Sequence, residues 1–194
     1  MFLQILLIFM AYVIGSIPSG LLIARMCGVN DIRAHGSGNI GATNVSRVLG
    51  YKFFIIVLLA DSLKAFGYLK LLEWSGFSIS TLIACAAALF LGNGVSLFLK
   101  FRGGKGVATL IGILAAMAPW TLVYGLAVWS AVFALTKTVG VASIAALCAL
   151  PFVMLLIPQS SVMLVILACW MSILGVFFHR DNIKAYLRLH GTIN

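Results

Sequence analysis

Acidic side chains are nearly missing from this chain: Asp31, Asp61, Glu73 and Asp181 are the whole set in 194 residues. They form no evident carboxylate dyad, and no nucleophile–base–acid triad can be read beside them. Charge of either sign is scarce. Asp, Glu, Lys and Arg make up 9% of the residues, against about 25% in soluble domains. With 63% hydrophobic residues, this composition describes an integral membrane protein with little mass outside the bilayer. Cys27, Cys85, Cys148 and Cys169 are dispersed, without CxxC or Cys/His spacing, which argues against a disulfide framework and a metal site. Three of them lie in apolar runs, where Cys packs as a small hydrophobe. No Lys/Arg tract or RNA-binding signature is present. The net charge of +9 is therefore read as membrane topology, with no nucleic-acid partner. The first apolar run has no basic n-region and no convincing cleavage site, so it reads as a retained span. No soluble domain, linker or low-complexity tail is evident, and residues 1–194 read as a single integral membrane domain.

What is present is a series of apolar runs at 2–23, 51–72, 78–99, 106–118, 120–136, 139–157 and 161–178. Most approach the ~20 residues a bilayer requires. The fourth is short: at ~1.5 Å per residue it reaches about 20 Å, against a hydrocarbon core of about 30 Å. Pro119 favours a break after it. Charge decides whether 106–136 is one span or two. With seven spans, Arg25, Arg33, Arg47, Lys52, Lys100, Arg102, Lys105, Lys137, Arg180, Lys184 and Arg188 all fall on one side. With six, Lys137 and the basic tail cross to the other face. The positive-inside rule selects seven. The expected fold class is an all-α polytopic membrane protein with seven transmembrane helices, N-terminus outside and C-terminus cytoplasmic.

Three polar segments then share the cytoplasmic face: 25–50, 100–106 and 179–194. The first contains Gly36-Ser37-Gly38-Asn39-Ile40-Gly41-Ala42-Thr43-Asn44-Val45-Ser46-Arg47. Its glycines free the backbone to bend and approach a ligand. Ser37, Asn39, Thr43 and Asn44 supply short hydrogen-bonding groups, and Arg33 and Arg47 bracket the run. Exposed N–H groups, hydroxyls and guanidinium suit a phosphate or acyl-phosphate group; an ordinary surface turn is the plainer alternative. The GxGxxG at Gly36, Gly38 and Gly41 is not a dinucleotide fingerprint, since no strand precedes it and Asp61 lies in a membrane run.

The second segment, Lys100-Phe101-Arg102-Gly103-Gly104-Lys105-Gly106, sets glycines around a lysine at the start of a helix, which directs N–H groups and an ammonium to one anion. It is not a Walker A loop, because Gly106 stands where Ser or Thr is required. The alternative is a plain basic membrane flank. The third is His179-Arg180-Asp181-Asn182-Ile183-Lys184, with His179 and Asn182 on one helical face. A basic patch there can simply attract anionic lipid; His35 and His190 read as solvated loop residues. Within the second run, Asp61 and Lys64 are three apart on one helix face. Two charges in a membrane helix are costly unless paired, so a structural ion pair is preferred over contact with substrate.

Taken jointly and in order, these stretches resemble the bacterial membrane glycerol-3-phosphate acyltransferases that use acyl phosphate as donor. The resemblance covers nearly the whole chain. It adds Gly15-Ser16-Ile17-Pro18-Ser19-Gly20, Val107-Ala108-Thr109 and Val141-Ala142-Ser143-Ile144 to the motifs above. It implies transfer of a fatty acyl group from acyl phosphate to the 1-hydroxyl of glycerol 3-phosphate, giving lysophosphatidic acid, the start of phospholipid synthesis. It places the protein in the bacterial cytoplasmic membrane, with membrane lipid around it and functional coupling to the enzyme that makes acyl phosphate. Ser37, Gly38, Asn39, Gly41, Thr43 and Asn44 would hold the acyl phosphate. Arg47, Lys105, His179 and Asn182 would hold glycerol 3-phosphate, with Lys105, His179 and Asn182 nearest the chemistry. Asp61, Lys64, Gly103, Gly104 and Ser143 would support them. The donor's own phosphate would act as base, with no cofactor and no metal, so catalysis would rest on positioning and electrostatics.

The chain departs from the family pattern at four places. Asn93 and Ser96 fall where the family has Gly-His-x-Phe-Pro, Gly140 stands for a usual Ser, and Ile193 for the Glu of a Gly-Thr-Glu ending. The rival class is a small organic-anion transporter, which inverted repeats would favour, and no convincing repeat is seen. A non-catalytic membrane subunit is a third reading, opposed by the concentration of polar residues in three loops on one face.

Overall fold

The computed structural model describes residues 1–158 and 161–189. The link at 159–160 and the tail at 190–194, with His190 and the Ile193 departure, lie outside them. The described residues are all-helical, with ten α-helices and two short 3-10 turns. The chain divides into two compact units, 1–117 and 118–194, each treated by itself below.

In the first unit, the apolar start forms α1 (Phe2–Ser16) and α2 (Ser19–Met26), not the single run 2–23 expected above. Pro18 has no N–H to donate and its ring crowds the preceding turn, so the pair bends by 42°. A polar loop leads into α3 (Ala42–Leu49), and Gly50 at φ 97 turns the chain directly into α4 (Tyr51–Trp74). Ser78 caps α5 (Ile79–Gly94) by accepting from the Thr81 N–H. A 3-10 turn at Leu97–Leu99 and a glycine loop follow, and α6 (Val107–Met117) ends the unit. Glycine lets backbones touch here. A Cβ on Gly15 of α1 would run into the Leu89 carbonyl of α5, and one on Gly92 of α5 into the Tyr12 carbonyl of α1. Small residues at such contacts are what hold helices together where lipid removes the hydrophobic incentive. Polar side chains lock the same pair: Tyr12 donates to the Val95 carbonyl at 2.7 Å, and Ser96 to the Ser16 carbonyl at 2.6 Å.

The second unit holds α7 (Pro119–Thr136), α8 (Val139–Leu155), α9 (Val162–Phe178) and α10 (Arg180–Leu189). Pro119 occupies the first turn of α7, where its missing N–H costs nothing. Ser172 of α9 donates to the Leu147 carbonyl of α8 at 2.6 Å. The sharp step from α9 to α10 is a bend of 52°.

Two stretches, Ile79–Leu99 and Pro119–Thr136, are long and apolar enough to cross a membrane alone, and up to four spans result if each bent pair counts as one. Large apolar side chains remain exposed on the helices, among them Phe9, Ile55, Leu63, Trp120, Phe152 and Ile173. So much exposed apolar surface belongs in lipid.

Candidate active site

The first glycine loop rests on a buried apolar cluster of Leu21, Ala24, Ile32, Ile40, Val45 and Val57. Asn44 fixes its shape. Only 1% exposed, its Nδ2 lies 3.2, 2.9 and 2.8 Å from the carbonyls of Ile32, His35 and Asn39, and its Oδ1 accepts the Ser37 N–H at 2.7 Å. Both polar atoms of Asn44 thus engage loop backbone. The side chain builds the loop that is expected to receive the acyl phosphate, with its Nδ2 hydrogens spent on backbone and one Oδ1 lone pair still open. Gly36, at φ +58, lies so close that a Cβ would run into Asn44 Oδ1. Asn39 Oδ1 accepts the Gly41 N–H at 2.8 Å, an Asx-type turn into α3.

The loop then delivers anion-binding groups. Gly41 is the N-cap of α3 and offers no side-chain cap, so the Ala42 and Thr43 N–H groups have no acceptor among the described residues. Uncapped N–H groups at a helix N-terminus suit an anion. The Ser37 and Thr43 hydroxyls donate to no described residue, and the exposed Arg47 guanidinium, one turn further on, is paired with none. Arg33 differs from expectation. It is held by Asp31 through a forked contact, 2.7 Å at its shortest. That hydrogen bonding draws the Asp31 carboxyl down to about 2 and raises the Arg33 pKa. Arg33 is a partner of Asp31 before it is a free cation.

The second glycine loop is hung on the end of α5. Gly103 N–H donates to the Gly94 carbonyl at 3.0 Å, and Gly104 N–H to the Asn93 carbonyl at 2.8 Å. A Cβ on Gly103 would enter the Asn93 carbonyl oxygen. A Cβ on Gly104 would lie 3.1 Å from Asn93 Oδ1 and 3.5 Å from Ile40 Cγ1. Ile40 therefore brings the two loops into contact. Lys105, half-buried, precedes Gly106 at φ +79, where α6 begins.

Asp61 and Lys64 sit beneath this assembly. Lys64 Nζ lies 2.6 Å from Asp61 Oδ1, and Ser19 donates to the same oxygen at 2.8 Å. Lys64 also donates to the Ile17 carbonyl at 2.8 Å and the Gly15 carbonyl at 3.2 Å. These are carbonyls that the Pro18 break leaves without helical partners. The ion pair thus staples the α1–α2 elbow, and the next residue, Gly20, packs so tightly on the Ile40 carbonyl that no Cβ would fit. The pairing expected from the three-residue spacing is present. The sequence reading missed Ser19 as its third member, whose signal was a serine beside proline within an apolar run.

In the second unit, His179 caps the end of α9 and is 1% exposed. Its Nδ1 lies 2.8 Å from the Gly175 carbonyl; an N–H there sets the tautomer and turns Nε2 away. Asn182, on the first turn of α10, lies over Gly140, where a Cβ would strike its Nδ2. The departure at Gly140 therefore makes room for Asn182. Ser143, 3% exposed, accepts the Trp129 indole N–H at 3.2 Å and ties α7 to α8. His179 and Asn182 are thus set on one junction, with Ser143 on the helix beside it.

These features define a class: an all-helical integral membrane protein carrying a loop shaped for an anion. A sequence profile of the glycerol-3-phosphate acyltransferase family matches residues 5–189. The glycerol-3-phosphate acyltransferase of Geotalea daltonii is 43% identical over 185 residues, covering 93% of this chain and 92% of that protein. That of Geobacter sulfurreducens is 39% identical over 181 residues, with coverage of 93% and 92%. Two crystal structures of PlsY (YgiH), an integral membrane glycerol 3-phosphate acyltransferase, superpose on 98% of this chain and 94% of theirs. The glycerol 3-phosphate form gives a TM-score of 0.88 at 34% identity, and the lysophosphatidic acid form 0.86 at 33%. The chain belongs to the PlsY-type glycerol-3-phosphate acyltransferase family.

Proposed function

We propose that this protein transfers a fatty acyl group from acyl phosphate to the 1-hydroxyl of glycerol 3-phosphate. The products are lysophosphatidic acid and inorganic phosphate, in the first step of phospholipid synthesis. One observation carries the reading. Asn44 holds the loop, while the α3 N-terminus, the Ser37 and Thr43 hydroxyls and Arg47 are left without described partners. That arrangement suits a phosphoryl group presented at a membrane surface.

In this mechanism Ser37, Gly38, Asn39, Gly41, Thr43 and Asn44 receive the acyl phosphate, with Asn44 also building the frame of the loop. Arg47, Lys105, His179 and Asn182 receive glycerol 3-phosphate. The acceptor hydroxyl oxygen attacks the acyl carbonyl carbon, the bond from that carbon to the phosphate oxygen breaks, and the departing phosphate takes the hydroxyl proton. The protein supplies orientation and fixed positive charge, which act on the charge that develops as the bonds exchange. Asp61, Lys64, Gly103, Gly104 and Ser143 hold the frame, and residues 1–194 act as one domain.

The topology is part of the proposal: seven spans, N-terminus outside, with both glycine loops and the α9–α10 junction at the cytoplasmic face of the bacterial membrane. There the protein can take its donor from the enzyme that produces acyl phosphate. The decisive assay gives purified protein acyl phosphate and labelled glycerol 3-phosphate, with acyl-CoA as the comparison donor. Lysophosphatidic acid should form with acyl phosphate and not with acyl-CoA. Product from acyl-CoA alone would reject the donor assignment, and product from neither would reject the reaction.

A further inference from the structure

Beside the first loop is a cleft of about 470 Å³ lined by none of the residues assigned to the reaction. Pro18 and Leu22 of the α1–α2 elbow and Phe98 of the turn after α5 form its apolar wall, and Arg25, Arg33 and Lys100 supply its polar side. We propose that this cleft binds an anionic phospholipid from the surrounding bilayer, with its phosphate on Arg25 and Lys100 and part of one acyl chain along Pro18, Leu22 and Phe98. The inference stands independently of the reaction proposed above.

Charge complementarity selects the occupant. The one acid that engages these cations, Asp31, is occupied with Arg33. Arg25 spends only its Nε, on the Asn30 carbonyl at 3.1 Å, so its terminal nitrogens have no described partner. The Lys100 ammonium pairs with no described residue. Lys100 and Phe101 are consecutive non-glycine residues in the left-handed region, at φ 53 and 61, a conformation that persists only where the surroundings enforce it. Phe101 N–H donates to the Ser96 carbonyl at 2.9 Å, and Arg102 N–H to the Leu99 carbonyl at 3.1 Å. Those bonds fix the point at which the Lys100 side chain leaves the backbone. A free inorganic anion would have no use for the apolar wall. A neutral lipid would have none for two cations that no described carboxylate answers. Leu22 and Phe98 are 44% and 55% exposed, so a lipid can enter sideways from the bilayer.

The cleft also adjoins the reaction machinery through backbone. Arg33 lines it, and the Arg33 carbonyl is 3.4 Å from where a Gly38 Cβ would stand. Bound lipid therefore braces the first loop from its far side.

The test uses the full chain in nanodiscs of equimolar phosphatidylcholine and phosphatidylglycerol, with lipid retained on release measured by native mass spectrometry. Wild type should retain phosphatidylglycerol preferentially. Arg25→Gln/Lys100→Gln should retain it roughly tenfold less or weaker still, while eluting as the same monodisperse species. Leu22→Trp, which fills the wall and removes no charge, should also lower retention. Equal preference in wild type and both variants overturns the site. So does a rise in KM for acyl phosphate in lipid-free detergent for Lys100→Gln, which would make the cleft part of the donor's site.

Discussion

Lys64 donates to the carbonyl of Ile17 at 2.8 Å, one residue before the proline that breaks the first helix. A cation at the C-terminal end of α1 answers both the carbonyls that have lost their helical partners and the helix dipole. The same ammonium neutralises Asp61 at 2.6 Å. One side chain thereby makes the break tolerable inside a membrane protein and carries the floor on which Ile40 sits.

Removing one partner of this pair should therefore cost structure before chemistry. Asp61→Asn leaves a half-buried ammonium without its counter-charge, a loss of about 3–5 kcal/mol for buried pairs. The expected result is a lower yield of monodisperse protein in detergent and a lower thermal midpoint. Asp61→Asn/Lys64→Met should recover part of both, since no lone charge remains. Normal yield and midpoint for Asp61→Asn, together with lost acceptor binding, would place the pair in direct contact with substrate.

The three glycines of the first loop should not be equivalent. Gly36 combines a left-handed φ with a clash against Asn44, Gly38 has φ +71 with only an ordinary contact to the Arg33 carbonyl at 3.4 Å, and Gly41 has ordinary φ with Asn39 Oδ1 at 3.1 Å from a Cβ. A left-handed L-residue costs about 1–2 kcal/mol. Turnover in folded protein should thus fall most for Gly36→Ala, less for Gly38→Ala and least for Gly41→Ala. An inverted order would mean that the loop is remodelled when donor binds.

Gly140 should set the place of Asn182. Gly140→Ser puts a Cβ and hydroxyl where Asn182 Nδ2 now lies, so the amide must rotate away. If Asn182 holds glycerol 3-phosphate by one charge-assisted bond, worth about 1.5–3 kcal/mol, KM for the acceptor should rise at least roughly tenfold. Thermal stability should change little, because the displaced side chain sits at a helix start. Kinetics unchanged within twofold would remove Asn182 from the acceptor site.

Much of this was legible in the chain because it is local. Apolar runs announced the helices, Pro119 divided 106–136, and the three-residue spacing of Asp61 and Lys64 forecast their pairing. What the sequence concealed depends on distant partners. Lys64 reaches a carbonyl 47 residues away, so the α1–α2 elbow could not be foreseen from Pro18 alone. Asn44 looks like its neighbours in a polar loop, and only burial shows that it faces inward. Arg33 seemed available until Asp31 was found holding it. Gly36 did not stand out from Gly38 and Gly41, because its strictness comes from Asn44, eight positions on.

Lys105 separates a specific phosphate contact from general positive charge. It stands half-buried between two glycines where α6 begins, whereas Arg102 is exposed on the same loop. The loop that carries Lys105 is fixed to α5 by the Gly103 and Gly104 N–H groups, so the ammonium starts from a defined place and adds to the field of the α6 N-terminus. Lys105→Ala should insert and fold normally. It should lose roughly tenfold to over a hundredfold in kcat/KM for glycerol 3-phosphate, the range of a charged hydrogen bond of about 1.5–3 kcal/mol. Lys105→Arg keeps the charge but exchanges a compact ammonium for a planar fork, and should restore only part of the activity. Arg102→Ala should cost far less, since screening weakens an exposed charge. The measurement is turnover at limiting and saturating acceptor for the three purified variants. Equal losses for Lys105→Ala and Arg102→Ala would show that the loop supplies only bulk positive potential.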